Sequence, residues 1–121
     1  WIQERGPKMV VVKKGEHGAA LFTRDEIFFV PGFPLEQVFD PTGAGDAFAG
    51  GLLGYISKKN STSVADLRRA VVYGSVLGSF AVQKFSIDGL RDLTASDIFR
   101  RVKQLNAMTT FEIDEGVEDF A

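Results

Sequence analysis

The sequence predicts an α/β fold, and two features of the chain carry this prediction. Short β-branched and aromatic runs, separated by turn residues, fill roughly the first third of the 121 residues, and helical patterns fill the rest. The pattern changes from strand-like to helical at a glycine-rich turn over residues 40–46. We expect three or four strands beside three helices. The sheet is predicted to be incomplete, because two large buried helices need more strand surface than these runs supply.

Each strand is predicted from a short apolar run. Met9–Lys13 is a continuous, largely β-branched run of strand length, which is typical of a buried strand. A turn with two glycines, residues 14–18, leads to a second run at Ala19–Thr23. A polar connection then precedes Ile27–Val30, so we expect these two runs to form a hairpin. Residues 35–39 are predicted to be a short extended stretch or an edge strand.

The first helix is predicted to follow the glycine-rich turn and to be buried. Its apolar residues extend from Ala47 to Ile56, and small residues lie between them. Glycine costs an exposed helix about 1 kcal/mol relative to alanine. The glycines of this helix therefore predict that another element packs closely against its backbone. Residues 57–63 are predicted to be a polar loop.

Two further helices are predicted after this loop. The second covers residues 64–85, with Ser63 as its candidate N-cap, and its small apolar second half indicates burial. Either Thr94 or Ser96 is expected to cap the third helix, which ends near Met108.

Composition excludes several kinds of site. The 14 basic and 16 acidic residues give a net charge of −2, which provides no electrostatic footprint for nucleic acid. The chain has no cysteine and a single histidine, His17, so thiolate chemistry and paired-histidine metal sites are excluded. Its apolar runs are too short for a membrane span. We expect no nucleic-acid or membrane partner and a cytoplasmic location, and the start at Trp1 predicts a processed chain or a fragment.

Residues 40–46, Asp-Pro-Thr-Gly-Ala-Gly-Asp, are the strongest candidate for chemistry. A short glycine-rich turn that enters a helix leaves the first backbone N–H groups unpaired at the positive end of the helix dipole, which suits a phosphate. Asp46 falls in the first turn of that helix, where a carboxylate beside a phosphate can accept a proton from an attacking hydroxyl or act with a metal ion. Spacing alone leaves an anion site and a structural turn equally open, since the Walker and dinucleotide fingerprints are both absent.

Residues 40–51, Asp-Pro-Thr-Gly-Ala-Gly-Asp-Ala-Phe-Ala-Gly-Gly, resemble the second signature of the ribokinase-like carbohydrate kinases, the PfkB family. The resemblance extends over most of the chain, from residue 9 to residue 105. It includes a strand-turn-strand at 10–22 and a nucleotide-side helix at 69–85. It implies that the chain is part of a three-layer α/β/α fold of the ribokinase type.

The resemblance also implies a reaction. Members of this family transfer the γ-phosphate of ATP to a hydroxymethyl group of a sugar, a sugar phosphate or a nucleoside, with Mg²⁺. The position of Asp46 is then the general base, and the amides of Gly43, Ala44 and Gly45 form the anion hole for the transferring phosphate.

The resemblance also implies binding roles for individual residues outside the anion hole. The nucleotide-binding positions implied are Lys13, Gly15, Gly18 and Ser75. The family commonly has asparagine or histidine near the position of Ser75, on the adenine side, so this chain departs from the pattern there. Asp40 and Thr42 match positions near a monovalent-cation site, such as a K⁺ site, found in many members.

The resemblance further implies how the chain is organised. Residues 1–108 would be the carboxy-terminal, nucleotide-binding part of a kinase domain, and residues 109–121 an acidic tail. The missing amino-terminal half would supply the acceptor site and a magnesium-associated Asn-x-x-Glu stretch, and the full-length enzyme is expected to be a homodimer. We expect this chain to be inactive alone. The alternative is a stand-alone nucleotide- or phosphate-binding module, or a structural remnant without catalysis.

Overall fold

A computed structural model of the chain describes residues 9–35, 43–83 and 92–118. The strands are β1 (Met9–Lys13), β2 (Ala19–Thr23) and β3 (Ile27–Val30). The helices are α1 (Ala44–Lys59), α2 (Val64–Gln83) and α3 (Ala95–Thr109). In these residues the three strands and three helices confirm the predicted α/β class.

The sheet is antiparallel throughout, in the order β1-β2-β3. Its register aligns Val11, Leu21 and Phe28 across the three strands, so these side chains share one face. The helices cover that face, and Leu21 is 1% exposed. The β2–β3 pairing confirms the predicted hairpin. Of the predicted segment 35–39, all but Leu35 lies outside the described residues.

The turn between β1 and β2 contains a single 3-10 turn, Gly15–His17. Gly18 closes it with φ +99°, a backbone conformation that glycine adopts far more readily than other residues. A Cβ at this position would also overlap the carbonyl oxygen of Val30. The turn therefore holds the end of β1 and the start of β2 close to the end of β3.

Helices α1 and α2 form an antiparallel pair whose backbones approach closely at glycines. A Cβ on Gly51 would lie 2.8 Å from the carbonyl oxygen of Tyr73, and a Cβ on Gly74 would lie 2.8 Å from the carbonyl oxygen of Phe48. Side chains at either position would separate the helices. The close neighbour that the glycines of α1 predicted is therefore α2.

The prediction that α1 is buried was wrong for its outer face. Only Ala47 and Phe48 of α1 are buried, whereas Leu53 is 61% exposed. The reason is that the main helix–sheet contacts are made by α2, against β2 and β3, while α1 packs mainly on α2. One side of α1 is thus left without a neighbouring element among the described residues.

The predicted loop over residues 57–63 also began too early, because α1 continues to Lys59. Lys58 and Lys59 lie in its last turn, where cationic side chains interact favourably with the helix dipole. Asn60 ends the helix in the left-handed conformation, with φ 49° and ψ 47°.

Ser63 caps α2 as predicted, since its Oγ accepts a hydrogen bond from the backbone N–H of Asp66 at 3.2 Å. The Asp66 carboxylate also accepts hydrogen bonds from the Tyr55 hydroxyl at 3.2 Å and from Arg69 at 3.1 Å. Hydrogen bonding from Ser61, and then from these partners, lowers the pKa of Asp66 to about 2. This cluster joins the end of α1 to the start of α2. The predicted last residues of the second helix, 84 and 85, lie outside the described residues.

The N-cap of α3 is Thr94 rather than Ser96. Its hydroxyl accepts a hydrogen bond from the N–H of Asp97 at 3.1 Å, and the Asp97 carboxylate accepts one from the N–H of Thr94 at 3.1 Å. Because the two bonds are reciprocal, they fix the start of the helix. The helix ends at Thr109, one residue beyond the predicted end.

Arg101 attaches α3 to the rest of the fold. Its guanidinium lies 3.6 Å from the Phe80 ring centroid and 4.6 Å from that of Phe33. It also donates hydrogen bonds to Ser79 Oγ at 3.0 Å and to Gln83 Oε1 at 2.8 Å. Burial lowers the pKa of this guanidinium, which stays protonated at neutral pH.

The described part of the acidic tail forms no strand and is exposed, with Phe111 82% exposed. In the described residues, no helix combines the length and the apolar character that crossing a bilayer requires.

Candidate functional site

The candidate site lies where α1 begins. Gly43 is the N-cap, in the left-handed conformation with φ 88°, and no side chain caps the helix. The first N–H group with a helical partner is that of Ala47, which donates to the carbonyl oxygen of Gly43 at 2.9 Å. The N–H groups before it lie at the positive end of the helix dipole, as an anion site requires.

The carboxylate of Asp46 is exposed in the first turn of α1. A negative charge at this end of a helix interacts favourably with the helix dipole. It is accessible to a hydroxyl group that approaches the start of the helix. The start of α1 therefore carries both N–H groups without a helical partner and an exposed carboxylate.

The ammonium group of Lys13 lies beside this helix start. Its Nζ is 3.5 Å from the position that a Cβ on Gly45 would take, and 4.9 Å from the ring centroid of Phe48. Lys14 diverges from it, since its Nζ lies 5.5 Å from the ring centroid of Phe29 on β3. Of two consecutive lysines, only Lys13 approaches α1 in this way, and it brings a positive charge to the anion site.

Phe48 is a site residue that the sequence analysis did not single out. Its ring packs beneath the Lys13 ammonium and against the backbone of Gly74, so it links β1, α1 and α2 at this point. The signal was present in the sequence as the aromatic residue two positions after Asp46.

The remaining predicted positions are distributed around this centre. Gly15 and Gly18 lie in the turn that follows Lys13. Ser75 is half-buried in the middle of α2, whereas the start of α1 meets α2 at Gly78, where a Cβ would lie 3.4 Å from the Ala44 carbonyl oxygen. The predicted monovalent-cation positions, Asp40 and Thr42, lie outside the described residues.

The described residues contain no group of three or more His, Cys, Asp or Glu side chains that could hold a metal ion. In that part of the chain, Asp46 thus belongs to no such cluster.

Comparison with known proteins agrees with this fold. A family model for the pfkB family of carbohydrate kinases matches residues 1–90. Inositol 3-kinase of Arabidopsis thaliana is 36% identical over 112 residues, which cover 88% of this chain and 30% of that protein.

Two solved structures resemble the chain. Aminoimidazole riboside kinase from Salmonella enterica, complexed with aminoimidazole riboside and an ATP analog, gives a TM-score of 0.67 at 32% identity, over 90% of this chain and 34% of that one. Fructokinase from Vibrio cholerae O395, in its fructose, ADP and calcium ion bound form, gives a TM-score of 0.68 at 28% identity. The match covers 82% of this chain and 32% of that one.

These likenesses define the fold class as that of the ribokinase-fold proteins. The chain belongs to the pfkB family of carbohydrate kinases. It spans about a third of the length of the relatives named here.

Proposed function

We propose that this chain is the nucleotide-side portion of an ATP-dependent kinase that phosphorylates a hydroxymethyl group of a sugar or a nucleoside. The observation that carries the proposal is the helix start itself. An uncapped α1, the exposed Asp46 carboxylate and the Lys13 ammonium meet at one point. Phosphoryl transfer needs positioning and charge stabilisation, and this arrangement offers both.

In the proposed reaction, the acceptor hydroxyl oxygen forms a bond to the γ-phosphorus of ATP, and the bond from that phosphorus to the β–γ bridging oxygen breaks. ADP leaves. The hydroxyl proton passes to the carboxylate of Asp46. The amides of Gly43, Ala44 and Gly45, as the anion hole, stabilise negative charge on the transferring phosphoryl group.

Lys13, Gly15 and Gly18 are proposed to contact the nucleotide. The Lys13 ammonium faces the start of α1, so we assign it to the phosphates. Ser75 is proposed for the adenine side. Its place in α2, three residues before the contact of Gly78 with α1, supports a position beside the phosphate site rather than within it.

Mg²⁺ is proposed to accompany ATP. The described residues offer no carboxylate cluster to hold it, so no step above passes through a metal ion. K⁺ binding near Asp40 and Thr42 stays a proposal. So do a cytoplasmic location and a homodimer of the whole enzyme.

The acceptor is proposed to be a sugar or a nucleoside because the solved relatives hold such molecules. One is complexed with aminoimidazole riboside and another with fructose. The residues that choose between them are proposed to correspond to the portion of these relatives that the chain does not span.

The alternative is a stand-alone nucleotide- or phosphate-binding module, or a structural remnant without catalysis. ATP–Mg²⁺ binding by the chain separates a remnant from the other two. Phosphorylation of an acceptor by the whole protein separates a kinase from a module.

Titration of the 121-residue chain with ATP–Mg²⁺ by calorimetry tests the site directly. Lys13→Met is expected to weaken binding at least roughly tenfold, because a hydrogen bond to a charged group contributes about 1.5–3 kcal/mol. Lys14→Met is the matched control, since it removes the same charge from the adjacent residue, and its affinity should stay within about twofold of the wild type.

Equal losses of ATP–Mg²⁺ affinity in the two variants would show that binding depends on the net charge of the chain and not on the position of Lys13. Failure of the wild-type chain to bind ATP–Mg²⁺ would contradict the proposed nucleotide site.

A further inference from the structure

Lys13 is an exposed residue whose ammonium group nevertheless lies against the protein. The register of β1 places its side chain on the face that meets the helices, together with that of Val11. Its cross-strand partner, Ala19, contributes only a methyl group to that face. The lysine side chain extends past this partner to α1, where its Nζ lies 4.9 Å from the ring centroid of Phe48.

The Phe48 ring is held in place by helix α2. The residue is 6% exposed, and a Cβ on Gly74 would lie 3.2 Å from each of two ring carbons, so the ring packs against the α2 backbone. The face of an aromatic ring attracts a cation. Because the ring is fixed by its packing, this attraction gives the Lys13 ammonium a defined position.

That position is beside the start of α1, and the charge there is not neutralised by an ion pair of the described residues. The Lys13 Nζ lies 3.5 Å from the place that a Cβ on Gly45 would take, so the ring and the glycine-rich turn flank the ammonium group. The ion pairs among the described residues do not include Lys13. Its charge is therefore available to an anion at the helix start.

We propose that Phe48 is a positioning residue, whose ring holds the Lys13 ammonium at the start of α1 before a phosphate group binds. The inference rests on the proposed function, which assigns this ammonium to the phosphates of the nucleotide. A lysine side chain that moves freely in water must be ordered when it contacts a ligand, and this ordering lowers the affinity. The ring orders the side chain in advance, so much of this cost is removed.

An NMR spectrum of the free 121-residue chain tests the position of Lys13 without any ligand. Protons above an aromatic ring are shifted upfield by its ring current, so we expect an upfield shift of the Lys13 ε-methylene protons, which Lys13→Met identifies. Phe48→Leu should abolish this shift, whereas Phe48→Tyr keeps the ring and should retain it. The ε-methylene signal of Lys14, which lies near the ring of Phe29, is the internal control and should be the same in both variants.

Calorimetric titration with ATP–Mg²⁺ tests the consequence for binding. Phe48→Leu is expected to weaken binding roughly two- to tenfold, which corresponds to the cost of ordering one long side chain. Phe48→Tyr should restore the affinity. In a chain that already carries Lys13→Met, Phe48→Leu should leave the affinity nearly unchanged, because the ring then has no cation to position.

Phe80→Leu is the matched control. The ring centroid of Phe80 lies 3.6 Å from the Arg101 guanidinium, so the substitution also removes a ring beneath a cation, but that cation belongs to α3. Both leucine variants are expected to unfold at a lower urea concentration than the wild type, because each loses packed ring atoms. Only Phe48→Leu should lose affinity for ATP–Mg²⁺, and reduced stability would then not explain the loss.

An unshifted Lys13 signal in the wild-type spectrum overturns the proposal, whether or not Phe48→Leu folds. Wild-type affinity of Phe48→Leu overturns it too, as does an equal loss in Phe80→Leu. A loss on Phe48→Leu that is the same with and without Lys13 also overturns it, since the ring would then act independently of the ammonium group. A shift that depends on Phe48, in a chain that does not bind ATP–Mg²⁺, supports the position of Lys13 and contradicts the proposed nucleotide site.

Discussion

Asp46 combines exposure with a position in the first turn of α1, where anions are stabilised. In the full-length enzyme, Asp46→Asn is expected to lower kcat by about 10²–10⁴, because a positioned general base contributes a factor of that size. The affinity for ATP should change little, since the anion-hole amides and Lys13 stay in place. Steady-state kinetics and calorimetry measure the two effects.

Asp25→Asn serves as the control for this substitution. Asp25 is also exposed, but it lies in the connection between β2 and β3, where it lines a pocket with Thr62 and Val64 rather than with the first turn of α1. Near-normal turnover of Asp46→Asn, or an equal loss in the Asp25 variant, would exclude Asp46 as the base.

The local pattern predicted a role for Asp46, whereas only the family resemblance separated Lys13 from Lys14. The carboxylate was found because a glycine-rich turn entering a helix has a defined chemistry. The two lysines are adjacent at the end of a strand, and only the register assigns them different surroundings. Lys13 pairs with Ala19 on the face that meets the helices, whereas Lys14 lies past the end of the strand near Phe29.

The contact between α1 and α2 depends on the absence of side chains at a few positions. Gly74→Ala is expected to destabilise the chain by about 1–3 kcal/mol, because its Cβ would lie 2.8 Å from the Phe48 carbonyl oxygen and the helices would have to separate. Urea unfolding of the isolated chain measures the effect.

Gly50→Ala is the control within the partner helix. Its Cβ would meet no atom within 4 Å, so the helix should gain about 0.5–1 kcal/mol. If both alanines changed stability in the same direction, close backbone packing would not explain the glycine at position 74.

At the scale of elements, sequence predicted all three strands with the bounds observed, because turn residues delimit each apolar run. It misplaced the end of α1, since Ser57, Lys58 and Lys59 look like a loop although they continue the helix on its solvated side. It also predicted that α1 is buried, which holds only for Ala47 and Phe48. The small residues of α1 indicate that another element packs closely against it, but the sequence does not show which of these residues contact that element.

For the molecule as a whole, we expect the 121-residue chain to show little or no sugar kinase activity while it still binds ATP–Mg²⁺. Rate acceleration requires that the acceptor be held in line with the phosphorus, and we place the acceptor-holding residues outside this chain. A coupled ADP-release assay with fructose and with aminoimidazole riboside as acceptors, run beside the ATP titration, tests this. Robust phosphorylation by the purified chain would contradict it.

The fold class was predictable because strand and helix patterns occupy separate parts of the sequence. That the sheet is incomplete stays a prediction, made from the excess of helix surface over strand surface. The strand order, with β1 and β3 at the two edges, and the packing of α1 on α2 were not predictable, because both are facts of tertiary structure.

The reason that position 43, at the start of α1, requires glycine differs from the reason at position 18. A Cβ at Gly18 would overlap neighbouring backbone, whereas a Cβ at Gly43 would meet nothing within 4 Å despite its φ of +88°. Glycine is therefore required at position 43 by the backbone conformation and not by lack of space for a side chain. This conformation is one that D-residues prefer. The anion site begins at a point where the chain locally adopts the mirror-image geometry, and glycine, the achiral residue, accommodates it.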